Sequence, residues 1–361
     1  MDLDDLEAIS RLDSLNVLAT VEAFGDQVHD AWTLGGRVTN LPAADGVTSV
    51  LVLGMGGSGA SGDIVGALVE PRLPVPFHVL KGYGPLPEWV GRNTLVFAVS
   101  YSGNTAETLD TFEEAHGRGC RAVAISSGGR LAELAAEFGT SLVTIPGGMQ
   151  PRTALGYLTM PLLHCLIDVG LVPDMKADLV ESLEALGSLA ESCNRKRPVG
   201  QNPAKDLAVR LSRKIPIVYG GSGLGAAVAR RFKCDLNEYG KVPAFWNEIP
   251  EMNHNEICAW DGPQELSDRF TGVMILEGRD DSRIERRWEV TKQLIERGRG
   301  DALELTGDGR SGLTRILGLL LITQLAAIYV GIERDVDPGP VEVIERLKSE
   351  LSDSRGEGDA S

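Results

Sequence analysis

Apolar runs and helix-forming stretches alternate along this chain with a regular spacing. The runs Ser49–Leu53, Pro76–Leu80, Thr94–Val99, Arg121–Ile125 and Ser141–Ile145 are separated by segments of helical composition such as Thr105–Gly117 and Arg130–Phe138. Runs that are apolar throughout are what strands buried on both faces require, and their alternation with helices predicts a parallel sheet covered on both sides. A polar, helical stretch over residues 1–45 precedes them, with Ala31 and Trp32 placed to pack on the core. Residues Thr153–Ser192 read as helices and Ser192–Pro203 as a polar connection.

A second alternation follows, with strands at Ile215–Tyr219, Ala244–Asn247, Gly272–Leu276 and Ala302–Leu305. The apolar stretch around Ile316–Val330 is interrupted by Thr323 and Gln324. It is too short to span a bilayer and predicts a buried helix over Leu313–Val330, with no membrane partner. The last helix is expected over Pro340–Leu351, since Pro340 suits a first helical position and Glu342 a first turn. Residues 352–361, rich in Asp, Gly and Ser, are expected to be disordered.

An internal repeat joins the two halves. Gly56-Gly57-Ser58-Gly59 follows the first strand of the first alternation, and Gly220-Gly221-Ser222-Gly223 follows the first strand of the second. Two copies of one strand-turn-helix unit account for it. The expected organisation is a helical segment (1–45), a first α/β domain (46–195), a second (204–351) and a tail (352–361). Each domain is a doubly wound parallel sheet, the two in tandem, as a length of 361 residues allows.

Composition narrows the partners. The formal net charge of −16 is the reverse of a nucleic-acid footprint. An anionic ligand would have to be captured locally, by backbone N–H groups at a helix start and a few placed cations. Five cysteines without a CxxC pair predict reduced thiols and a cytoplasmic protein. The acidic start Met1–Asp5 is not that of a secretory leader. No HExxH or comparable set occurs, so no metal is expected.

Two loops have the makings of a phosphate site. Gly54-Met55-Gly56-Gly57-Ser58-Gly59 fits a dinucleotide fingerprint, but the next strand ends in Leu80-Lys81-Gly82-Tyr83, without the carboxylate a ribose needs. A glycine turn for close strand–helix packing is the alternative. The third strand ends in Ser100-Tyr101-Ser102-Gly103-Asn104-Thr105, directly before a helix. Ser100, Ser102 and Thr105 can each donate an O–H where a helix start presents unpaired N–H groups and about half a positive charge. With Gly57 and Ser58 they form the candidate phosphate site. The alternative is an N-cap, which needs one hydroxyl rather than three. The second half has no counterpart of this loop; after Leu276 it reads Glu277-Gly278-Arg279-Asp280-Asp281, which is acidic. One phosphate site per chain is therefore expected.

At these residues the chain resembles the sugar-isomerase (SIS) domain, whose mark is Ser-x-Ser-Gly-x-Thr after a strand. Three further segments narrow the likeness: Pro151-Arg152-Thr153-Ala154-Leu155-Gly156-Tyr157; Asn237-Glu238 followed by Pro250-Glu251-Met252-Asn253-His254-Asn255-Glu256; and Asp337-Pro338-Gly339-Pro340-Val341 leading to Lys348. In this order they resemble the bifunctional phosphoglucose/phosphomannose isomerases, from about Leu51 to Lys348. The resemblance implies two SIS-type, flavodoxin-like domains and a cofactor-free interconversion of hexose 6-phosphates, a step of glycolysis and gluconeogenesis. It implies that Glu238 is the base, His254 and Lys348 open the sugar ring, and Arg152 stabilises the enediolate. It also implies an obligate homodimer in which His254 reaches the partner's active site. Glu248 and Glu251 are the other carboxylates near enough in sequence to be the base. A non-catalytic module that senses a sugar phosphate is the competing reading; it has no need of Glu238, His254, Arg152 and Lys348 together.

Overall fold

The computed structural model describes residues 1–278, 281–298 and 300–358, with side chains to residue 351. Three helices open the chain: α1 (Leu6–Leu12), α2 (Val17–Glu22) and α3 (Phe24–Gly35). The Asp13 carboxylate accepts from the Val17 and Leu18 N–H groups at 2.8 and 2.9 Å, which starts α2. Ala31 and Trp32 are buried on α3, as their placement predicted.

The first sheet comprises β1 (Ser49–Leu53), β2 (Phe77–Leu80), β3 (Thr94–Val99), β4 (Arg121–Ser126) and β5 (Ser141–Thr144). All pairs are parallel, in the order β2-β1-β3-β4-β5. Helix α4 (Gly56–Val69) follows β1, α5 (Ala106–Gly117) follows β3 and α6 (Gly129–Glu137) follows β4. Every residue of β1 and β3 is buried, which is why both read as unbroken apolar runs. Three helices then lead out of this domain: α7 (Leu155–Asp168), α8 (Lys176–Cys193) and α9 (Pro203–Leu211).

The second sheet is smaller: β6 (Ile215–Gly221), β7 (Phe245–Ile249), β8 (Phe270–Leu276) and β9 (Asp301–Thr306), all parallel in the order β7-β6-β8-β9. Its helices are α10 (Leu224–Glu238), the single-turn α11 (Gln264–Ser267), α12 (Ser282–Arg297) and α13 (Gly312–Glu333). Helix α14 (Glu342–Gly358) closes the chain. It starts two residues after Pro340 and its backbone continues past Leu351. Residues 359–361, the end of the tail expected to be disordered, lie outside the described residues.

In each sheet the chain moves outward on one side of its first strand and then crosses to the other. That reversal lies between β1 and β3 in one sheet and between β6 and β8 in the other. The carboxyl ends of strands at such a point are where open α/β sheets bind ligands. One continuous core runs through both domains, from Val50 and Phe97 to Val228, Phe232 and Leu325. Helix α13 is long and apolar enough to cross a membrane, but 83% of its most apolar window is buried inside the protein.

The polar connection expected over Ser192–Pro203 joins α8 to α9, and α9 itself is an element that the sequence pattern does not announce. Pro203 begins α9, capped by the Asn202 side chain, which accepts from the Ala204 and Lys205 N–H groups at 3.0 Å each. Lys205 makes this helix look solvated, yet it is fully buried, its ammonium held by Asp4 and the Arg195 carbonyl.

Candidate active site

The loop between β3 and α5 turns on Gly103, at φ +69°. A Cβ there would lie 1.8 Å from the Gly128 carbonyl oxygen, so only glycine fits. The turn brings Ser100 and Thr105 together, their hydroxyls 2.9 Å apart. Thr105 is the residue before α5 but makes no side-chain cap bond. Its hydroxyl is committed to the loop rather than to the helix, which sets the capping alternative aside. Ser102 is exposed, and its oxygen accepts from the Asn104 N–H at 3.3 Å. Ser100 is fully buried beneath the loop, while Ser102, Asn104 and Thr105 line a cavity at the first turn of a twelve-residue helix, where an anion is favoured.

The glycine turn after β1 docks against this loop. Ser58 is buried, and its hydroxyl oxygen accepts the Tyr101 N–H at 3.2 Å. Gly57 has a packing role as well. A Cβ on it would meet the Pro151 carbonyl oxygen at 3.0 Å and the Arg152 Cα at 3.6 Å. Its bareness lets the segment carrying Arg152 lie directly on the turn. Tyr101 braces the same segment: its phenol donates to the Pro146 carbonyl at 3.0 Å and accepts the Met149 N–H at 2.9 Å. Tyr101 was visible in the sequence only as a filler position between two serines.

Arg152 is 4% exposed and reaches across to the second domain. Its Nε lies 3.9 Å from Glu238 Oε2, and that buried Nε has no hydrogen-bond partner among the described residues. Nη2 donates to the carbonyls of Pro338 and Gly339. The guanidinium lies over the Tyr239 ring, its carbon 5.0 Å from the ring centre.

Glu238 ends α10 and lines a cleft of about 770 Å³ with Asn237, Lys241, Asp337, Pro340 and Ile344. Lys241, which the sequence showed only as a residue following Glu238, donates to the Glu238 and Pro340 carbonyls and so joins the end of α10 to the start of α14. Burial, and then the positive charge of Arg152, push its ammonium pKa down.

The two other carboxylates near Glu238 in sequence stand elsewhere. Glu248 is on β7, in a small recess with Arg230 and Trp246, and Glu251 is exposed, accepting from Asn255 at 3.0 Å. Of the three, Glu238 is the one paired with Arg152.

Lys348 is on α14 and lines a cavity of about 410 Å³ with Tyr83, Ser102, Asn104, Thr105 and Glu107. The chain therefore carries this lysine to the hydroxyl-lined loop rather than to the solvent alone.

His254 is not brought to the site within one chain. It is exposed at the end of a short 3-10 turn over Glu251–His254. Its neighbours point the other way: Asn253 donates to Thr291 at 2.8 Å, and Glu256 accepts from Tyr219 at 2.8 Å and from Asn247 at 2.7 Å. The polar cluster is thus an anchor that leaves the imidazole outward.

In the second domain the corresponding turn is closed from within. Glu277, directly after β8, accepts the Gly225 N–H at 3.0 Å in the first turn of α10. Glu277 stands directly after β8 as Ser100 stands directly after β3, so the second domain has a carboxylate where the first has a hydroxyl.

Comparison with known proteins follows the same division. Residues 47–146 match the SIS domain model, and residues 200–351 match the bacterial phospho-glucose isomerase C-terminal SIS domain. The bifunctional phosphoglucose/phosphomannose isomerase of Caldicellulosiruptor bescii is 34% identical over 91% of this chain and 96% of its own. The enzyme of the same name from Aquifex aeolicus is 37% identical over 84% of this chain and 90% of its own. Among solved structures, a hypothetical protein of Thermus thermophilus superposes with a TM-score of 0.72 over 97% of this chain and 94% of its own, at 18% identity.

Proposed function

The chain belongs to the bifunctional phosphoglucose/phosphomannose isomerase family, an enzyme family acting on sugar phosphates, and on that premise we propose that it interconverts glucose 6-phosphate and mannose 6-phosphate with fructose 6-phosphate through an enediolate. The observation that carries this reading is the Arg152–Glu238 pair, set one glycine turn away from the hydroxyl-lined loop. A hexose 6-phosphate held by Ser100, Ser102, Thr105 and the first turn of α5 would extend its other end toward Glu238.

Aldose–ketose exchange then needs an open chain, a proton moved between C2 and C1, and a place for negative charge. Glu238 takes the C2 proton of the aldose and returns it to C1. The unpaired Arg152 N–H meets the oxyanion that forms between them, a donor set in place before the charge appears. Lys348 stands beside the phosphate loop, and the ring oxygen is bonded to C5, next to the phosphorylated carbon. A lysine there is well placed to help open the ring. His254 does its part from the partner subunit of a homodimer, which its outward position suits. The apolar face of α14, where Val343, Leu347 and Leu351 are exposed, suits contact with that partner. The five free cysteines fit a cytoplasmic enzyme.

The test is turnover of fructose 6-phosphate in deuterium oxide. Both aldoses should form, with deuterium at C2. Absence of both, from protein that still binds fructose 6-phosphate, would return the chain to the sensor class.

A further inference from the structure

Gln324 interrupts the apolar run of α13 and is 2% exposed. A buried amide among leucines and isoleucines is unfavourable unless its polar atoms are bonded. Its nitrogen makes two bonds, one to the main-chain oxygen of Arg152 at 2.8 Å and one to the Tyr239 hydroxyl at 3.1 Å. A carbonyl oxygen only accepts, so the bond to Arg152 fixes which end of the amide is nitrogen.

These two contacts converge on one side chain. Tyr239 is the ring on which the Arg152 guanidinium lies, and the Arg152 carbonyl marks where that side chain departs from the backbone. The same carbonyl accepts a second bond, from Arg231 Nη2 at 3.0 Å. Arg231 is itself held by Asp235 through bonds of 2.6 and 3.0 Å, both residues buried. Arg152 belongs to the first domain, whereas Gln324, Tyr239 and Arg231 belong to the second. The direction of the free Arg152 N–H toward Glu238 is therefore set from the far side of the domain boundary.

We propose that Gln324 is the positioning residue for Arg152, a single amide that fixes both the root of the arginine and the ring beneath its head. This rests on the isomerase reading of the Arg152–Glu238 pair. Gln324 touches no substrate; it acts by keeping one N–H aimed where the enediolate charge forms.

Gln324→Leu removes both donors while keeping an apolar side chain that suits its surroundings. Its kcat for fructose 6-phosphate should fall by on the order of 10–10²-fold with KM little changed, the scale expected when a catalytic group is displaced by a fraction of an ångström to one ångström. Arabinonate 5-phosphate carries a carboxylate in place of the enediolate oxygens and should bind about tenfold more weakly, while inorganic phosphate binds as before. In an Arg152→Ala background, Gln324→Leu should cause no further loss of arabinonate 5-phosphate affinity. Equal losses in both backgrounds, or unchanged kcat in a folded Gln324→Leu, overturn the proposal. Should thermal unfolding show that Gln324→Leu does not fold, Tyr239→Phe takes its place. That variant removes one of the two links, and its smaller loss must likewise vanish in the Arg152→Ala background or the proposal fails. Turnover by the wild-type enzyme tests the functional reading separately from this coupling.

Discussion

Arg152 Nε faces Glu238 Oε2 at 3.9 Å across the boundary between the two domains, a cation and an anion brought close without a hydrogen bond between them. The arginine is almost wholly buried and the glutamate about a quarter exposed, with side-chain exposures of 5% and 26%. The pair is thus open on the glutamate side, toward the cleft.

The proposed isomerisation needs a base at that opening. Glu238→Gln should lower kcat by about 10²–10⁴-fold, the usual contribution of a positioned base. Affinity for fructose 6-phosphate should stay within a few-fold of wild type, because the proposed phosphate loop lies apart from Glu238. A coupled assay and equilibrium dialysis together decide it: near-normal turnover would remove Glu238 from the role.

On the proposed reading, Ser102→Ala and Thr105→Ala act on the other end of the substrate. A hydrogen bond to a charged group contributes about 1.5–3 kcal/mol, so each change should raise KM about tenfold or more. Thr105 does not cap α5, so its replacement should not cost the roughly 1 kcal/mol of a lost N-cap. Steady-state kinetics beside thermal unfolding would show a binding defect without a matching loss of helix stability.

His254 faces outward while Glu238 faces its own cleft, so the two can be separated genetically. His254→Ala and Glu238→Gln should each be inactive alone. Mixed and allowed to exchange subunits, they should recover about a quarter of wild-type activity, the statistical share of intact sites in a two-fold dimer. No recovery from a mixture shown to contain heterodimers would place both residues in one subunit.

Cys165, buried on α7, gives the protein a sensitivity to alkali. Burial, with a smaller push from Asp168, raises its thiol from an ordinary 9 to about 12. As pH rises past 9 the unfolded chain loses this proton first, so stability present below pH 9 declines until about pH 12. The melting temperature of wild type should therefore fall more steeply between those values than that of Cys165→Ala. Parallel curves would show that the thiol does not contribute.

The central strands β1 and β3 of the first domain were legible because every residue of both is buried, which keeps charged residues out of the run. The tandem arrangement was legible through the repeated Gly-Gly-Ser-Gly turn. Helix α9 was not, because the buried Lys205 reads as a surface charge until Asp4, 201 positions away, is seen to hold it. The loop hydroxyls could be named from spacing, since one turn contains them all. What surrounds Arg152 could not, because Gln324, Tyr239 and Gly339 reach it from three separated parts of the chain. Gln324 did leave a trace, as a polar residue in an otherwise apolar helix, and that trace has an explanation only once the fold is closed.

Arg152 also grips the segment leading into α14, and it does so by the oxygens of Pro338 and Gly339, which belong to the main chain. Every amino acid carries that oxygen, so exchanging the side chain at Pro338 leaves the handhold in place, whereas at Gly339 a Cβ would press on Leu15 at 2.9 Å. Changing the number of residues would remove the handhold, since it shifts the carbonyls out of reach. In drifting relatives this joint should tolerate a new letter at Pro338 more readily than at Gly339, and a new length hardly at all.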